Sequence, residues 1–142
     1  MIKFNGGTTN FASTFTASPT AERAVTVPDL SFTMAGTDAA QTFAASQRGT
    51  VTTDNDGSFD MNVTNNFQCT PSGTFALTFT NITSGQSGYV LLINTSGVAV
   101  TAAATTKVNA SFLATVSAAG TYLLSYFSAG GNVYVTTSGA MS

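Results

Sequence analysis

The chain has 142 residues and a mass of 14.5 kDa; 43% of the residues are hydrophobic and only 7% are charged. This length allows one domain with a sizeable core, and the composition excludes a disordered chain, which would need low hydrophobicity and high net charge. The net charge of −2, with only four basic residues, excludes a surface that could neutralise a row of phosphates, so we expect no nucleic-acid partner. The low charge also provides little repulsion between copies, which favours an assembled state.

The first twenty residues are polar, and their aromatic residues, Phe4, Phe11 and Phe15, are too sparse to enclose a core. This segment lacks the apolar run of a signal peptide, and no stretch of the chain approaches the roughly 18 apolar residues of a membrane span. We therefore expect synthesis in a cytoplasm and no membrane partner. The simplest organisation is an extended arm, residues 1–20, that lies on another surface, followed by a β-domain, residues 21–142.

The β-domain opens with AVTVPDLSFTM, residues 24–34, in which apolar and polar residues alternate on both sides of Pro28. A proline implies an edge position or a bend, so we interpret this segment as two short strands joined at Pro28. The only helix candidate follows, DAAQTFAASQ, residues 38–47. Its apolar spacing is poor, and helix propensity alone is a weak argument for a helix.

Three of the six carboxylates of the chain lie in TTDNDGSFD, residues 52–60; they are Asp54, Asp56 and Asp60. An EF-hand loop would need a Glu six residues after Gly57, where Val63 stands. The flanks alternate as strands, with Phe59, Met61 and Val63 on one face. We therefore predict a hairpin turn at residues 55–57, with its carboxylates in water, in place of a calcium or magnesium site.

Four segments in the second half alternate with the two-residue period of a strand: TFALTFT (74–80), GYVLLIN (88–94), GTYLLSYF (120–127) and NVYVTT (132–137). Turn-forming residues separate them, which predicts an all-β fold, an antiparallel β-sandwich or barrel-like domain. In GTYLLSYF, apolar residues occupy both faces of the strand. Leu123 and Phe127 lie on one face, and Tyr122, Leu124 and Tyr126 lie on the other. This pattern indicates a strand buried on two sides, either within one chain or beneath a neighbouring subunit.

Catalytic chemistry has few candidates. The chain has no histidine, and its one cysteine, Cys69, excludes an internal disulfide; no neighbouring positive charge would lower the pKa of its thiol. Asp54, Asp56 and Asp60 could supply a carboxylate pair for glycoside cleavage. Asp54 and Asp56, however, are flanked by polar residues and Gly57, so no apolar surroundings would separate their pKa values. We predict no enzyme activity, no cofactor and no metal.

Residues 21–37, AERAVTVPDLSFTMAGT, contain an R-x-V-T-x-P-D strand unit, and residues 42–52 contain a T-F-x-x-x-Q-R-G element. Three further segments follow in order: NNFQCTPSG (65–73), NITSGQSGYVLLIN (81–94) and GTYLLSYFSAGGNVYVTTSG (120–139). In sequence and in order, these segments resemble those of tail-fibre and related virion proteins of aquatic and marine tailed bacteriophages. The chain departs from the pattern in lacking tryptophan and in carrying VTAAATTKVNASFL, residues 100–113, before the last strands.

The resemblance implies a β-rich, trimeric module on a phage particle, assembled in the host cytoplasm and located on the capsid surface or the tail. Because 142 residues barely supply a fibre tip, we favour a homotrimeric capsid decoration (cement) protein. Its arm, with Phe4, Phe11 and Phe15, would contact the major capsid protein or another virion protein. The alternative is a tail-fibre or receptor-binding tip that contacts host glycan. Its candidate contacts are Tyr122, Tyr126, Asn132 and Tyr134, although the tyrosines could instead pack in the core.

Overall fold

The computed structural model describes residues 46–141, which form nine strands and one helix. In chain order these are β1 (Val51–Thr53), β2 (Ser58–Asp60), β3 (Asn66–Cys69), β4 (Phe75–Thr80), β5 (Ser87–Asn94), β6 (Val100–Ala102), β7 (Thr106–Lys107), α1 (Phe112–Ser117), β8 (Gly120–Ala129) and β9 (Asn132–Met141). The predicted all-β class is confirmed for this part of the chain. The four strands predicted in the second half are present, with ends that differ by a few residues.

Several predictions fall on residues outside the described range. These are the arm, residues 1–20, with Phe4, Phe11 and Phe15, the strands on either side of Pro28, and the boundary at residue 21. The helix candidate, residues 38–47, also lies outside it apart from Ser46 and Gln47, which have no regular structure.

Consecutive strands alternate between two sheets. The strands β1, β3 and β5 are neighbours in a six-stranded sheet with the order β1-β3-β5-β8-β9-β7, while β2, β4 and β6 form a three-stranded sheet. All pairs among these six strands are parallel: Val51 lies opposite Asn66, and Asn66 opposite Tyr89. The chain thus winds from one sheet to the other and back, in a solenoid-like coil.

The coil ends after β6, and the last two long strands form a hairpin. Gly130 and Gly131, both with positive φ, make the tight turn between β8 and β9. A Gly-Gly pair suits a type I′ hairpin turn, because both central residues of that turn need a positive φ. The strand β8 then pairs antiparallel with β5, and this hairpin extends the six-stranded sheet.

The expected antiparallel order therefore holds for only two of the seven strand pairs, β5 with β8 and β8 with β9; the other five pairs are parallel. The arrangement is solenoid-like and not clearly a sandwich or a barrel. The physical reason is that side chains alternate with the same period in both kinds of pairing, so alternation cannot distinguish them.

An aromatic cluster joins the two sheets in the core. Phe59 of β2 packs against Phe67 of β3 with ring centroids 5.0 Å apart, and against Phe79 of β4 at 5.4 Å. Phe79 contacts Tyr126 of β8 at 4.9 Å. These tilted pairs are favourable geometries for aromatic rings. Since the cluster includes residues from both sheets, it fixes how the coil and the final hairpin pack together.

The helix α1 was not predicted. It has only six residues, and Phe112 and Val116, one turn apart, are its two buried side chains. Such a short helix is marginal on its own, so its packing against the core must supply most of its stability. A single apolar pair is too weak a periodic signal to identify from the sequence.

Candidate functional sites

The acidic segment between β1 and β2 is a turn, as predicted, but it does not close a hairpin, because β1 and β2 lie in different sheets. It carries the chain from one sheet to the other. Gly57 has a φ of +84°, and a Cβ atom there would lie 2.1 Å from the ring of Phe75. Only glycine fits both constraints without a shift of its neighbours.

The carboxylates of this turn accept backbone hydrogen bonds. Asp54 accepts from the N–H of Asp56 at 3.2 Å, and Asp56 accepts from the N–H of Ser58 at 2.8 Å. The side chain of Asn55 accepts from the N–H of Thr70 at 2.8 Å, which ties the turn to the next loop. These hydrogen bonds stabilise the turn, which explains why the segment is rich in Asp and Asn.

The pKa values of Asp54 and Asp60 are shifted in opposite directions. Partial burial, together with the neighbouring Asp56 carboxyl, raises the pKa of Asp54. Asp60 lies apart from this pair and accepts from the side-chain amide of Asn81 at 2.8 Å; this bond and the N–H of Asn62 lower the pKa of Asp60. Within residues 46–141, no three His, Cys, Asp or Glu side chains converge in a group that could hold a metal ion.

The thiol of Cys69 is fully buried at the end of β3. Burial raises its pKa to about 11, and the negative charges of Asp54 and Asp56 act in the same direction. A thiol with a raised pKa is mostly protonated near neutral pH and is a poor nucleophile. Cys69 is therefore a small core residue, and its surroundings do not activate the thiol.

The candidate glycan contacts separate into two groups. Tyr122 and Tyr126 are buried in the core, and their hydroxyl groups donate to the carbonyls of Ala118 (3.0 Å) and Asn65 (2.9 Å). Their burial agrees with the core-packing alternative and leaves neither ring accessible to a ligand. Tyr134 is 51% exposed, and Asn132 is partly exposed on the same strand. The four residues therefore do not form one site.

Tyr134 borders a shallow cavity of about 320 Å³ beside the edge strand β7. Lys107, Asn109 and Thr136 are among the residues that line it, so an exposed aromatic ring lies next to amide, hydroxyl and ammonium groups. The ammonium of Lys107 donates to the carbonyl of Ala104 at 2.6 Å. Sugar rings have both apolar and hydroxyl-bearing surfaces, and this mixture of groups could contact both.

Among the residues that the structure describes, β8 is buried on one face only, whereas burial on both faces was expected. Tyr122, Leu124 and Tyr126 face the core, whereas Leu123 is 37% and Phe127 52% exposed on the opposite face. Apolar side chains of neighbouring strands lie on the same outward face, including Tyr89 and Val51. The sequence indicated the second apolar face of β8 but could not show that it continues across several strands.

No helix among the described residues is long and apolar enough to cross a membrane. A scan against protein-family models finds no match to the chain, and searches of curated proteins and of solved structures find none either.

Proposed function

We propose that this protein is a bacteriophage virion structural protein, and specifically a small homotrimeric decoration protein of the capsid. The order of the phage-like segments, from residue 21 to residue 139, is the single observation that carries the proposal. An all-β domain with few charges is consistent with a passive structural role. In this proposal the arm, residues 1–20, contacts the major capsid protein, and the β-domain projects outward.

Physical features of the described domain support a structural role over catalysis. The acidic side chains of the β1–β2 turn are engaged in local hydrogen bonds, and the one thiol is buried and has a raised pKa. Every buried side-chain nitrogen and oxygen in the described part has a hydrogen-bond partner. Buried polar groups that are fully paired stabilise a fold and give no indication of a strained, reactive site.

Electron microscopy of capsids that lack the protein tests the proposal directly. The purified full chain is added to such capsids, and the particles are imaged before and after addition. Decoration predicts ordered density at capsid lattice positions with a threefold protrusion. Removing residues 1–20 should abolish this density while the β-domain stays folded. Density confined to the tail, or full binding without the arm, would contradict the proposal.

A receptor-binding tip is the second candidate, and the exposed Tyr134 beside its polar cavity is the observation that favours it. Glycan arrays probed with the full chain test this function. Binding that is lost in Tyr134→Ala and kept in Val63→Ala, a change at an exposed apolar residue in the β2–β3 turn, would support it. An array without any bound glycan would count against the tip.

A further inference from the structure

The outward face of the six-stranded sheet carries large apolar side chains on four of its six strands; β3 contributes Asn66 and Gln68, and β7 contributes Lys107. Its exposed or partly exposed apolar side chains come from four strands: Val51 of β1, Tyr89, Leu91 and Ile93 of β5, Leu123 and Phe127 of β8, and Tyr134 and Met141 of β9. We call this set the outer face. Tyr89, Phe127 and Tyr134 are each about half exposed (51%, 52% and 51%).

The strand register places these side chains in adjacent rows. Leu91 lies opposite Leu123, and Phe127 lies opposite Tyr134. Val51 and Tyr89 flank Asn66 in a third row. A shallow cavity of about 370 Å³ opens among Val51, Tyr89, Leu91 and Leu123. The apolar side chains of the outer face therefore cluster on β5, β8 and β9, while the polar Asn66 separates Val51 from Tyr89.

The outward face of the three-stranded sheet is different. Its strand side chains are small or polar: Ser58, Asp60, Ala76, Thr78, Thr80 and Thr101. Both sheets bury apolar side chains on their inner faces, so the difference between their outward faces does not follow from the packing of residues 46–141 alone. Large apolar side chains are exposed on one face only, which marks it as a contact surface.

The size of the outer face fits a stable protein interface. Six strands of two to ten residues, at about 3.3 Å per residue and about 4.8 Å between strands, give a face of roughly 600 Å². Each partner of a standard interface contributes about 800 Å², with a range of roughly 600–1,000 Å², so the whole face lies at the lower end of that range. Its three half-exposed aromatic rings alone contribute roughly 300 Å² of accessible surface. The largest apolar patches on typical monomers measure about 300–600 Å² and are often functional, and the apolar part of this face reaches that range.

Charge indicates what kind of partner the face accepts. Among the outward strand side chains of this sheet, only Lys107, on the edge strand β7, is ionised. A neutral apolar face has no complementary charge to select a different protein, whereas a second identical face matches it in polarity and size. The low net charge of the chain, −2, leaves little repulsion between copies.

We propose that the outer face binds the outer face of further copies of the same chain, with the six-stranded sheets turned toward a common symmetry axis. In a trimer, each outer face would meet both of its neighbours around that axis. This proposal rests on the proposed function in one respect: the number of copies, three, comes from the proposed homotrimer. The surface itself is identified independently, by the exposure and polarity of its side chains.

Sedimentation equilibrium of the full chain tests the proposal. We expect wild-type protein to be oligomeric at micromolar concentration, and Tyr89→Lys or Phe127→Lys to raise the dissociation constant at least tenfold, because each places a charge within the apolar contact. Val63→Lys is the matched control, since Val63 is 61% exposed but lies in the turn after β2, outside both sheets. Far-UV circular dichroism and thermal melting establish that each variant is folded.

The outcomes separate this proposal from the proposed function. If the wild-type protein is a monomer at all concentrations, self-association is refuted. The partner of the outer face would then be residues 1–45 or another protein. Oligomers that resist both lysine variants would also overturn it. A dimer that these variants dissociate would support the outer face and contradict the homotrimer. Oligomers that dissociate as expected, from a protein that fails to bind capsids, would support the interface and refute decoration.

Discussion

Asn94 provides the most direct test of how the end of β5 is held. Its side chain is buried, and its amide nitrogen donates to the carbonyls of Val98 and Val116, at 2.9 Å each. Its amide oxygen accepts from the N–H of Val98 at 2.9 Å. One side chain thus joins the last residue of β5, the following loop and the helix α1. An Asn94→Asp substitution keeps the shape of the side chain and removes both donors.

The expected penalty follows from this geometry. The buried carbonyl of Val116 and the partly buried carbonyl of Val98 lose their donor. An unsatisfied buried group costs about 1–3 kcal/mol and a partly exposed one less, so Asn94→Asp should lower the free energy of unfolding by about 1–4 kcal/mol at pH 7. Domains of this size are stable by about 5–15 kcal/mol. Burial and the two carbonyls would raise the folded-state pKa of the new carboxyl above its unfolded value. The added penalty should therefore be smaller at pH 4, where a protonated carboxyl can donate to one carbonyl, and should grow as the pH rises toward 7.

Urea unfolding followed by far-UV circular dichroism at pH 4 and pH 7 measures both effects. Asn109→Asp is the matched control, because Asn109 is exposed and its amide oxygen accepts from the N–H of Ser111, a role that a carboxylate also fills. This control should change the free energy of unfolding by less than about 0.5 kcal/mol. A loss below that size for Asn94→Asp at pH 7, or an equal penalty at both pH values, would refute the reasoning.

Two further predictions concern packing and alkaline stability. Gly88→Ala should destabilise the protein by about 1–3 kcal/mol or more, because its Cβ would lie 1.7 Å from the carbonyl oxygen of Asn65; Gly73→Ala, with nothing within 4 Å, is the control in parallel urea titrations. The folded protein holds the Cys69 proton more tightly than the unfolded chain, with a pKa of about 11 against 9.0. The contribution of Cys69 to stability should therefore be complete below about pH 9 and be lost, by up to about 3 kcal/mol, as the pH approaches 11. Cys69→Ala should flatten this decline, and an unchanged pH profile would contradict it. Burial also raises the pKa of Tyr126, to about 12, which adds a second loss at higher pH.

The strands of the second half could be predicted because two signals agree there. Alternation identifies β4 and β5, and glycines in the turns mark where β8 and β9 begin and end. The pairing of those strands could not be predicted, since alternation reports only which side chains share a face. In β2 the alternation was also misleading: the strand ends at Asp60, and Val63 is exposed in the turn that follows.

The proposed contact surface was only partly visible in the sequence. Leu123 and Phe127 show that β8 has a second apolar face, but their neighbours across the sheet come from residues far apart in the chain. Tyr89 joins them only because the coil brings β5 beside β8. The sequence also could not show that the candidate contacts Tyr122 and Tyr126 face the core, because a tyrosine in a strand can face either side. The side of the sheet on which a side chain lies must be known before a binding role can be inferred for it.

The two functional proposals require different surroundings for Tyr134. Tyr134 borders the polar cavity that favours glycan contact, and it also lies opposite Phe127 at the margin of the outer face. If copies of the chain cover the outer face up to β9, the ring of Tyr134 becomes part of the assembly and is no longer free to stack on a sugar. If the contact stops at β8, the cavity beside Lys107 stays open at the rim of the oligomer. The extent of the self-association surface therefore determines whether a receptor-binding role is compatible with it, and a compact trimer with a fully covered outer face favours decoration of the capsid.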